Sequence, residues 1–196
     1  MAKLLLCHPL FLAKSPEEQE SSSPYFPLGL LYLAAYVREQ GHKVSIFDGT
    51  FEDDESSFTS LLDAERPDLV GISVLLPTKD MALELALQTH SRQIPVILGG
   101  PEPTRDPLEY MQYPQVDLVV HHEGEQTLVA LLDLLDADAL TPDNLSNELG
   151  IAYRDETGEA YLNPPRPYMT DLDSLPLPAR DLVDMDRYLE TLSLIH

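Results

Sequence analysis

The chain has 196 residues, 43% of them hydrophobic, and its 34 acidic residues outweigh 12 basic ones to give a formal net charge of −22. This acidity argues against binding to nucleic acid or to an anionic membrane, because both require a basic protein surface. The single cysteine, Cys7, excludes a disulfide within the chain and an iron–sulfur cluster held by this chain alone.

Short apolar runs alternate along the chain with segments of helical periodicity. The predicted strands cover residues 3–7, 44–47, 69–74, 95–98 and 118–120, and the predicted helices cover residues 27–40, 56–65, 78–92 and 125–135. A long loop rich in Pro, Ser and Glu is predicted at residues 9–26. The alternation is typical of right-handed βαβ units. It predicts an α/β fold with a doubly wound, flavodoxin-like parallel sheet of five strands in the order 2-1-3-4-5.

The pattern changes after about residue 145. Residues 151–154 and 160–162 flank a turn at residues 155–158, which predicts a hairpin. Two proline-rich stretches, at residues 163–167 and 175–178, predict an extended arm. We therefore divide the chain into an α/β domain at residues 1–145 and a hairpin with a linker at residues 146–196. The arm is expected to lead towards a further domain.

Ligands of such sheets bind beyond the carboxyl ends of the strands, where this chain has several loops rich in Gly, Ser or Thr. The chain lacks the glycine motif of dinucleotide sites and the Gly-Lys-Ser/Thr loop of nucleotide triphosphatases. Cys7, His8 and Ser73 stand where a receiver domain would carry its acidic residues. A flavin carrier would need a phosphate loop rich in Ser and Thr after the first strand, and that loop is also absent.

The motifs at the strand ends resemble those of cobalamin-binding flavodoxin-like domains. Those domains carry Asp-x-His-x-x-Gly, then Ser-x-Leu, then Gly-Gly. Here Gly29 takes the last place of the first motif, Ser73-Val74-Leu75 matches the second, and Gly99-Gly100 matches the third. The Asp and His places fall on Pro24 and Phe26. The histidine that would ligate cobalt from below is therefore missing.

Longer segments are similar to the N-terminal cobalamin-binding domain of cobalamin-dependent radical SAM proteins. They are PLGLLYLAA at 27–35, GIS at 71–73, LGGP at 98–101, EGEQTL at 123–128 and DLDSLPLPAR at 171–180. The resemblance implies a base-off cobalamin whose nucleotide tail extends along the sheet edge. With Phe26 in the histidine place, the lower face of the corrin would meet water or an apolar side chain, and His8 is the alternative ligand.

The same resemblance implies a partner domain that this chain does not contain. In the family, a following segment carries Cys-x-x-x-Cys-x-x-Cys, which holds a [4Fe–4S] cluster that S-adenosylmethionine completes. That motif is absent here. We therefore expect the chain to support methyl transfer or related radical chemistry in the cytoplasm and to catalyse nothing alone. We expect no catalytic residues and no metal site, since the adjacent His121 and His122 would point to opposite faces of a strand.

The expected cofactor contacts follow the strands and begin two helices. They are Leu28, Gly29, Asp48, Ser73, Val74, Leu75, Thr78, Gly99, Gly100, Pro101, Glu123 and Gly124. Each also has a structural alternative, such as helix capping, core packing or a tight turn. The competing hypothesis for the whole chain is a cofactor-free interaction module of the same fold. It stays open because the histidine is missing and the interval from Leu75 to Gly99 is short.

Overall fold

A single sheet of seven strands organises the computed structural model, which describes residues 1–14 and 24–193. Its strands are β1 (Lys3–His8), β2 (Lys43–Asp48), β3 (Leu69–Ser73), β4 (Val96–Gly99), β5 (Leu118–Val120), β6 (Ile151–Arg154) and β7 (Ala160–Leu162). They lie in the order β2-β1-β3-β4-β5-β6-β7. The first five are parallel, so the predicted order 2-1-3-4-5 is confirmed.

The predicted count of five strands is wrong, because the C-terminal hairpin joins the sheet. β6 pairs antiparallel with β5, Val119 facing Ala152, and β7 pairs antiparallel with β6. Without this addition β5 would expose a row of unpaired N–H and C=O groups, which folded proteins avoid at sheet edges. The hairpin itself lies where the sequence predicts it.

The helices complete the crossovers between the parallel strands. They are α1 (Leu28–Glu39), α2 (Ser56–Glu65), α3 (Lys79–His90), α4 (Pro101–Arg105), α5 (Pro107–Tyr110), α6 (Glu125–Asp136), α7 (Pro142–Leu145) and α8 (Met185–Ser193). The four predicted helices are α1, α2, α3 and α6. Between β4 and β5 the connection is broken into two short helices, since Asp106 caps the second one through the Glu109 N–H and Pro107 begins it.

Strand alternation divides the core between the two faces of the sheet. Leu5 and Cys7 of β1 pack on one face with α2, α3 and α5, whereas Leu4 and Leu6 pack on the other with α1 and α6. Cys7 is fully buried. Within residues 1–14 and 24–193, no helix is long and apolar enough to cross a membrane. The predicted loop at residues 9–26 lies partly outside the described residues.

Candidate functional site

A cavity of about 290 Å³ lies at the carboxyl end of the sheet, on the face covered by α1 and α6. Most of its wall is apolar, and its polar groups come from the loops that follow the strands. The lining residues are Leu6, Gly29, Leu30, Leu33, Gly71, Ile72, Ser73, Ile97, Gly99, Gly100, Pro101, Val120, His122, Glu123, Gly124, Glu125 and Leu128. This is where parallel α/β sheets bind their ligands.

Glycines make the space in this cavity. A Cβ on Gly29 would have no protein atom within 4 Å, and one on Gly99 would meet only the Val120 carbonyl oxygen, at 3.5 Å. A Cβ on Gly124 would lie 3.2 Å from the Leu33 side chain. Backbone from the end of β4, the first turn of α1 and the N-cap of α6 therefore faces the cavity without side chains, which lets a broad ligand approach closely.

Gly100 has a different reason to be glycine. Its φ is +103°, a backbone conformation that residues with a side chain rarely adopt, and an added Cβ would lie 3.0 Å from the Val74 carbonyl oxygen. The Val74 N–H donates to the Gly99 carbonyl at 2.7 Å. The predicted tight turn at Gly99-Gly100 and the predicted close approach of a ligand are therefore both accommodated at one place.

A row of four residues crosses the carboxyl edge of the sheet beside the cavity. His8 pairs with Asp48, and Ser73 pairs with Gly99. β1 and β3 run in register up to Cys7 and Ile72, so His8 and Ser73 are the next neighbours. In-register residues of parallel strands project to the same side, which here is the side of α1 and α6. The strand order thus brings a carboxylate, an imidazole and a hydroxyl to one edge.

Seven of the twelve predicted contacts line the cavity. They are Gly29, Ser73, Gly99, Gly100, Pro101, Glu123 and Gly124. The other five lie outside it: Leu28 is 42% exposed on the first turn of α1, and Val74 is buried in the core of the opposite face. Leu75 donates its N–H to the Thr78 hydroxyl at 3.1 Å, which closes the turn before α3.

Asp48, the remaining predicted contact, is held by its own turn and by the C-terminal helix. Its Oδ1 accepts from the Thr50 N–H and hydroxyl at 3.1 and 2.7 Å, and its Oδ2 accepts from the Tyr188 hydroxyl at 2.6 Å. Tyr188 is 1% exposed, and its ring packs edge-on against Phe26 and Phe51. Burial and the nearby Asp48 carboxylate raise the pKa of Tyr188, so its hydroxyl stays protonated.

His8 and Phe26, the two candidates for the lower face of a corrin, are both packed within the protein. His8 is 3% exposed with the Tyr25 ring edge-on at 5.8 Å, and its Nε2 has no hydrogen-bond partner among the described residues. Burial lowers the pKa of His8 while Asp48 opposes this shift. Phe26 lies 6.0 Å from the Tyr188 ring.

The rim of the cavity after β5 is also attached to the arm. His121 Nε2 donates to the Asn163 carbonyl at 3.3 Å, and His122 Nδ1 lies 3.4 Å from the Tyr168 hydroxyl. Next along the chain, Glu123 Oε2 accepts from the Met169 N–H at 2.8 Å. The arm therefore crosses one side of the cavity instead of extending away from it.

Sequence reasoning missed the apolar wall and part of the rim. One signal for the wall was available, since Leu6, Gly71 and Ile97 occupy the strand positions that alternate with the core of the opposite face. A glycine inside a strand, such as Gly71, indicates a close approach. No local signal placed His122, whose φ is +63°, at the rim of this cavity.

Comparison with known families gives a model match over residues 19–132 to the B12 binding domain. The matched segment includes α1, β2 to β5 and most of α6, and so contains every residue that lines the cavity except Leu6. The chain belongs to the B12 binding domain family. This confirms the resemblance predicted from the motifs.

Among curated proteins, the chain is 37% identical over 166 residues to an uncharacterized methyltransferase of Pyrococcus horikoshii, covering 83% of this chain and 35% of the relative. It is 26% identical over 194 residues to the anaerobic magnesium-protoporphyrin IX monomethyl ester cyclase of Rubrivivax gelatinosus, covering 95% and 34%. This B12-binding chain therefore spans about a third of the length of these relatives.

Two solved structures share its fold. The cobalamin-dependent S-adenosylmethionine radical enzyme OxsB, with aqua-cobalamin and S-adenosylmethionine bound, matches 97% of this chain and 25% of its own with a TM-score of 0.80 at 24% identity. The radical S-adenosylmethionine methyltransferase TsrM of Kitasatospora setae, with cobalamin and a [4Fe–4S] cluster bound, matches 90% and 31% with a TM-score of 0.68 at 22% identity.

The residues around the cavity fit a cobalamin. The glycine cradle at Gly29, Gly99 and Gly124 would be filled by added Cβ atoms, and the apolar wall suits a flat, largely apolar group. The Ser73 hydroxyl and the Glu123 carboxylate at the rim suit the amide groups that surround a corrin ring.

Proposed function

We propose that this chain holds a base-off cobalamin for a radical SAM domain and supplies no histidine to its lower face. The observation that carries the proposal is the glycine-lined cavity at the ends of β3 and β4, where the Ser-x-Leu and Gly-Gly motifs meet. The family membership over residues 19–132 supports it.

The proposed contacts centre on the seven predicted residues that line the cavity. Ser73 offers a hydroxyl, Gly29, Gly99 and Gly124 offer backbone without a side chain, and Gly100 forms the tight turn. Leu28, Asp48, Val74, Leu75 and Thr78 do not line the cavity, and their contact with the cofactor stays a prediction.

What occupies the two candidate places supports the proposed absence of a histidine ligand. Phe26 takes the motif position and packs on Tyr188, and His8 is covered by Tyr25. Bound cobalamin would supply a cobalt centre that accepts and passes on a methyl group, a role for which a weak lower ligand is suited. The contribution of the protein is to position and shield the cofactor.

The partner we propose is a radical SAM domain that brings the [4Fe–4S] cluster and S-adenosylmethionine. Three observations support this: the chain matches only about a third of each relative, one relative is named a methyltransferase, and this chain has a single cysteine. We propose the division at residue 145, with residues 146–196 as the connection to that domain. Methyl transfer is the proposed reaction, and this chain alone is expected to catalyse nothing.

The cheapest test is a titration of the chain with hydroxocobalamin followed by gel filtration and visible absorbance. We expect one cobalamin per chain. Ser73→Phe should abolish binding because the ring enters the cavity, while Ser60→Phe, the same change on the exposed side of α2, should bind normally. Far-UV circular dichroism checks that both variants fold. No binding by the unaltered chain would favour the cofactor-free interaction module instead.

A separate measurement tests the proposed absence of a histidine ligand on the lower face of the corrin. In the cob(II)alamin form, an axial nitrogen splits the EPR signal of the unpaired electron by hyperfine coupling. We expect no such splitting from a protein imidazole. Nitrogen splitting that disappears in His8→Phe would show that His8 moves out from beneath Tyr25 to ligate cobalt.

A further inference from the structure

The segment that follows β5 faces two ways. His122 and Glu123 line the cavity, and the same two side chains contact the arm at Tyr168 and Met169. Among the described residues, no other side chain that lines this cavity makes a hydrogen bond to residues 163–169. This rim segment is therefore a direct physical connection between the cavity and the arm.

Only one of the two carboxylate oxygens of Glu123 accepts a hydrogen bond from the described residues. Oε2 accepts from the Met169 N–H at 2.8 Å, and the structure shows no hydrogen bond from the described residues to Oε1. Hydrogen bonds to a carboxylate are stronger than those between neutral groups. A half-buried carboxylate at a cavity wall therefore favours a second donor, and a ligand bound in the cavity is in a position to supply it.

The backbone before Glu123 is held in a conformation that depends on its surroundings. His122 has a φ of +63°, which non-glycine residues adopt rarely. Its N–H donates to the Thr104 hydroxyl at 3.1 Å on α4, and its ring packs edge-on against Tyr168 at 5.9 Å. Contacts from α4 and from the arm thus both hold the segment in this conformation.

We propose that Glu123 couples cofactor binding to attachment of the arm. In this proposal, which rests on the proposed function, a peripheral amide N–H of cobalamin donates to Oε1 while Oε2 keeps the Met169 N–H. The bound cofactor fixes the carboxylate and thereby tightens the arm. By linkage, an attached arm strengthens cobalamin binding by the same factor. Glu123 is a positioning residue that orders the connection to the C-terminal residues once the cofactor is in place.

The test uses Met169→Pro, which removes the N–H that Glu123 accepts. Its matched control is Thr170→Pro, one residue on, which removes no hydrogen bond that the structure shows. We expect hydroxocobalamin to slow hydrogen exchange of the Met169 amide in the unaltered chain by about fivefold or more, at the low end of known couplings. Met169→Pro should bind hydroxocobalamin about fivefold more weakly, with Thr170→Pro unchanged.

A second variant guards against local unfolding. Glu123→Gln keeps its size and one acceptor oxygen, so it can serve the arm or the cofactor but not both, and it should weaken binding like Met169→Pro. Two results together would overturn the coupling and leave the proposed function intact. They are equal dissociation constants for all variants and a hydrogen-exchange rate of the Met169 amide that hydroxocobalamin does not change. Failure of the unaltered chain to bind hydroxocobalamin would overturn both.

Discussion

The two faces of the sheet are built from alternating residues of the same strands, yet one is closed and the other is hollow at its carboxyl end. On the face under α2 and α3, large side chains such as Phe58 and Leu85 are fully buried and fill the core. On the face under α1 and α6, glycines replace side chains at Gly71 and Gly99 of the strands and at Gly29 and Gly124 of the helices. The closed face gives stability, and the hollow face gives up buried contacts to make a site.

This division has a physical basis. A cavity destabilises a protein, because the transfer free energy and the dispersion contacts of the missing side-chain atoms are lost. In measured cores this destabilisation is about 24 cal/mol per Å³ of cavity volume. A sheet can carry that loss on one face when the other face is densely packed. Mutations on the two faces should therefore have opposite signatures, one in unfolding and one in binding.

The largest effect is expected on the closed face. Leu85→Ala removes a fully buried side chain and should lower the free energy of unfolding by about 2–5 kcal/mol. Urea denaturation measures this loss. Hydroxocobalamin affinity of the folded fraction should stay within about twofold, because Leu85 does not line the cavity. A large loss of affinity would mean that the two faces are not independent.

The corresponding experiment on the other face fills the cavity with a side chain. Gly99→Leu places a side chain in the cavity, and its Cβ meets only ordinary van der Waals contact. Binding should weaken about 100-fold, equivalent to about 3 kcal/mol of overpacking against the ligand. Stability should change little, since the chain can bury the new side chain in the empty space. Unaltered affinity in a titration would place the cofactor elsewhere.

A smaller effect is expected beside the end of β2 on the same face, where the C-terminal helix α8 packs through Tyr188. Tyr188→Phe removes the hydroxyl that donates to Asp48 Oδ2 and should destabilise the docking of α8 by about 1–2 kcal/mol. Hydrogen exchange in α8 measures this change. Cobalamin affinity should be unaffected; a parallel loss would identify Asp48 as a cofactor contact.

The smallest effect concerns the arm on the outer surface of α1. Arg38 donates to both oxygens of Asp181, at 2.6 and 3.1 Å, which lowers the pKa of that carboxyl. The stabilisation from this ion pair is fully present above the ordinary aspartate pKa of about 4. It is lost as the pH falls through the lowered pKa of Asp181. Both groups are solvated, so Arg38→Ala should cost below about 1 kcal/mol. Limited proteolysis after Arg180, compared at pH 7 and in acid, checks both points.

The sequence alone was sufficient for the parallel strands, their order, the four long crossover helices and the edge of the sheet where the cavity lies. Apolar runs of four to six residues and helical spacing are local patterns, and the βαβ handedness rule then leaves few topologies. The motifs at Ser73 and Gly99 locate the cavity, because the carboxyl ends of neighbouring parallel strands must meet at one edge. Seven of twelve predicted residues line that cavity.

Only the tertiary structure decided how the C-terminal residues use the domain. The hairpin extends the sheet because β5 offered an unpaired edge, a fact that no pattern within residues 151–162 contains. Tyr188 reaches Asp48 across 140 positions of sequence, and Glu123 reaches Met169 across 46. Such contacts depend on the path of the arm over a finished surface. Local periodicity carries no information about that path, since it is selected by shape and by hydrogen-bond partners far apart in the chain.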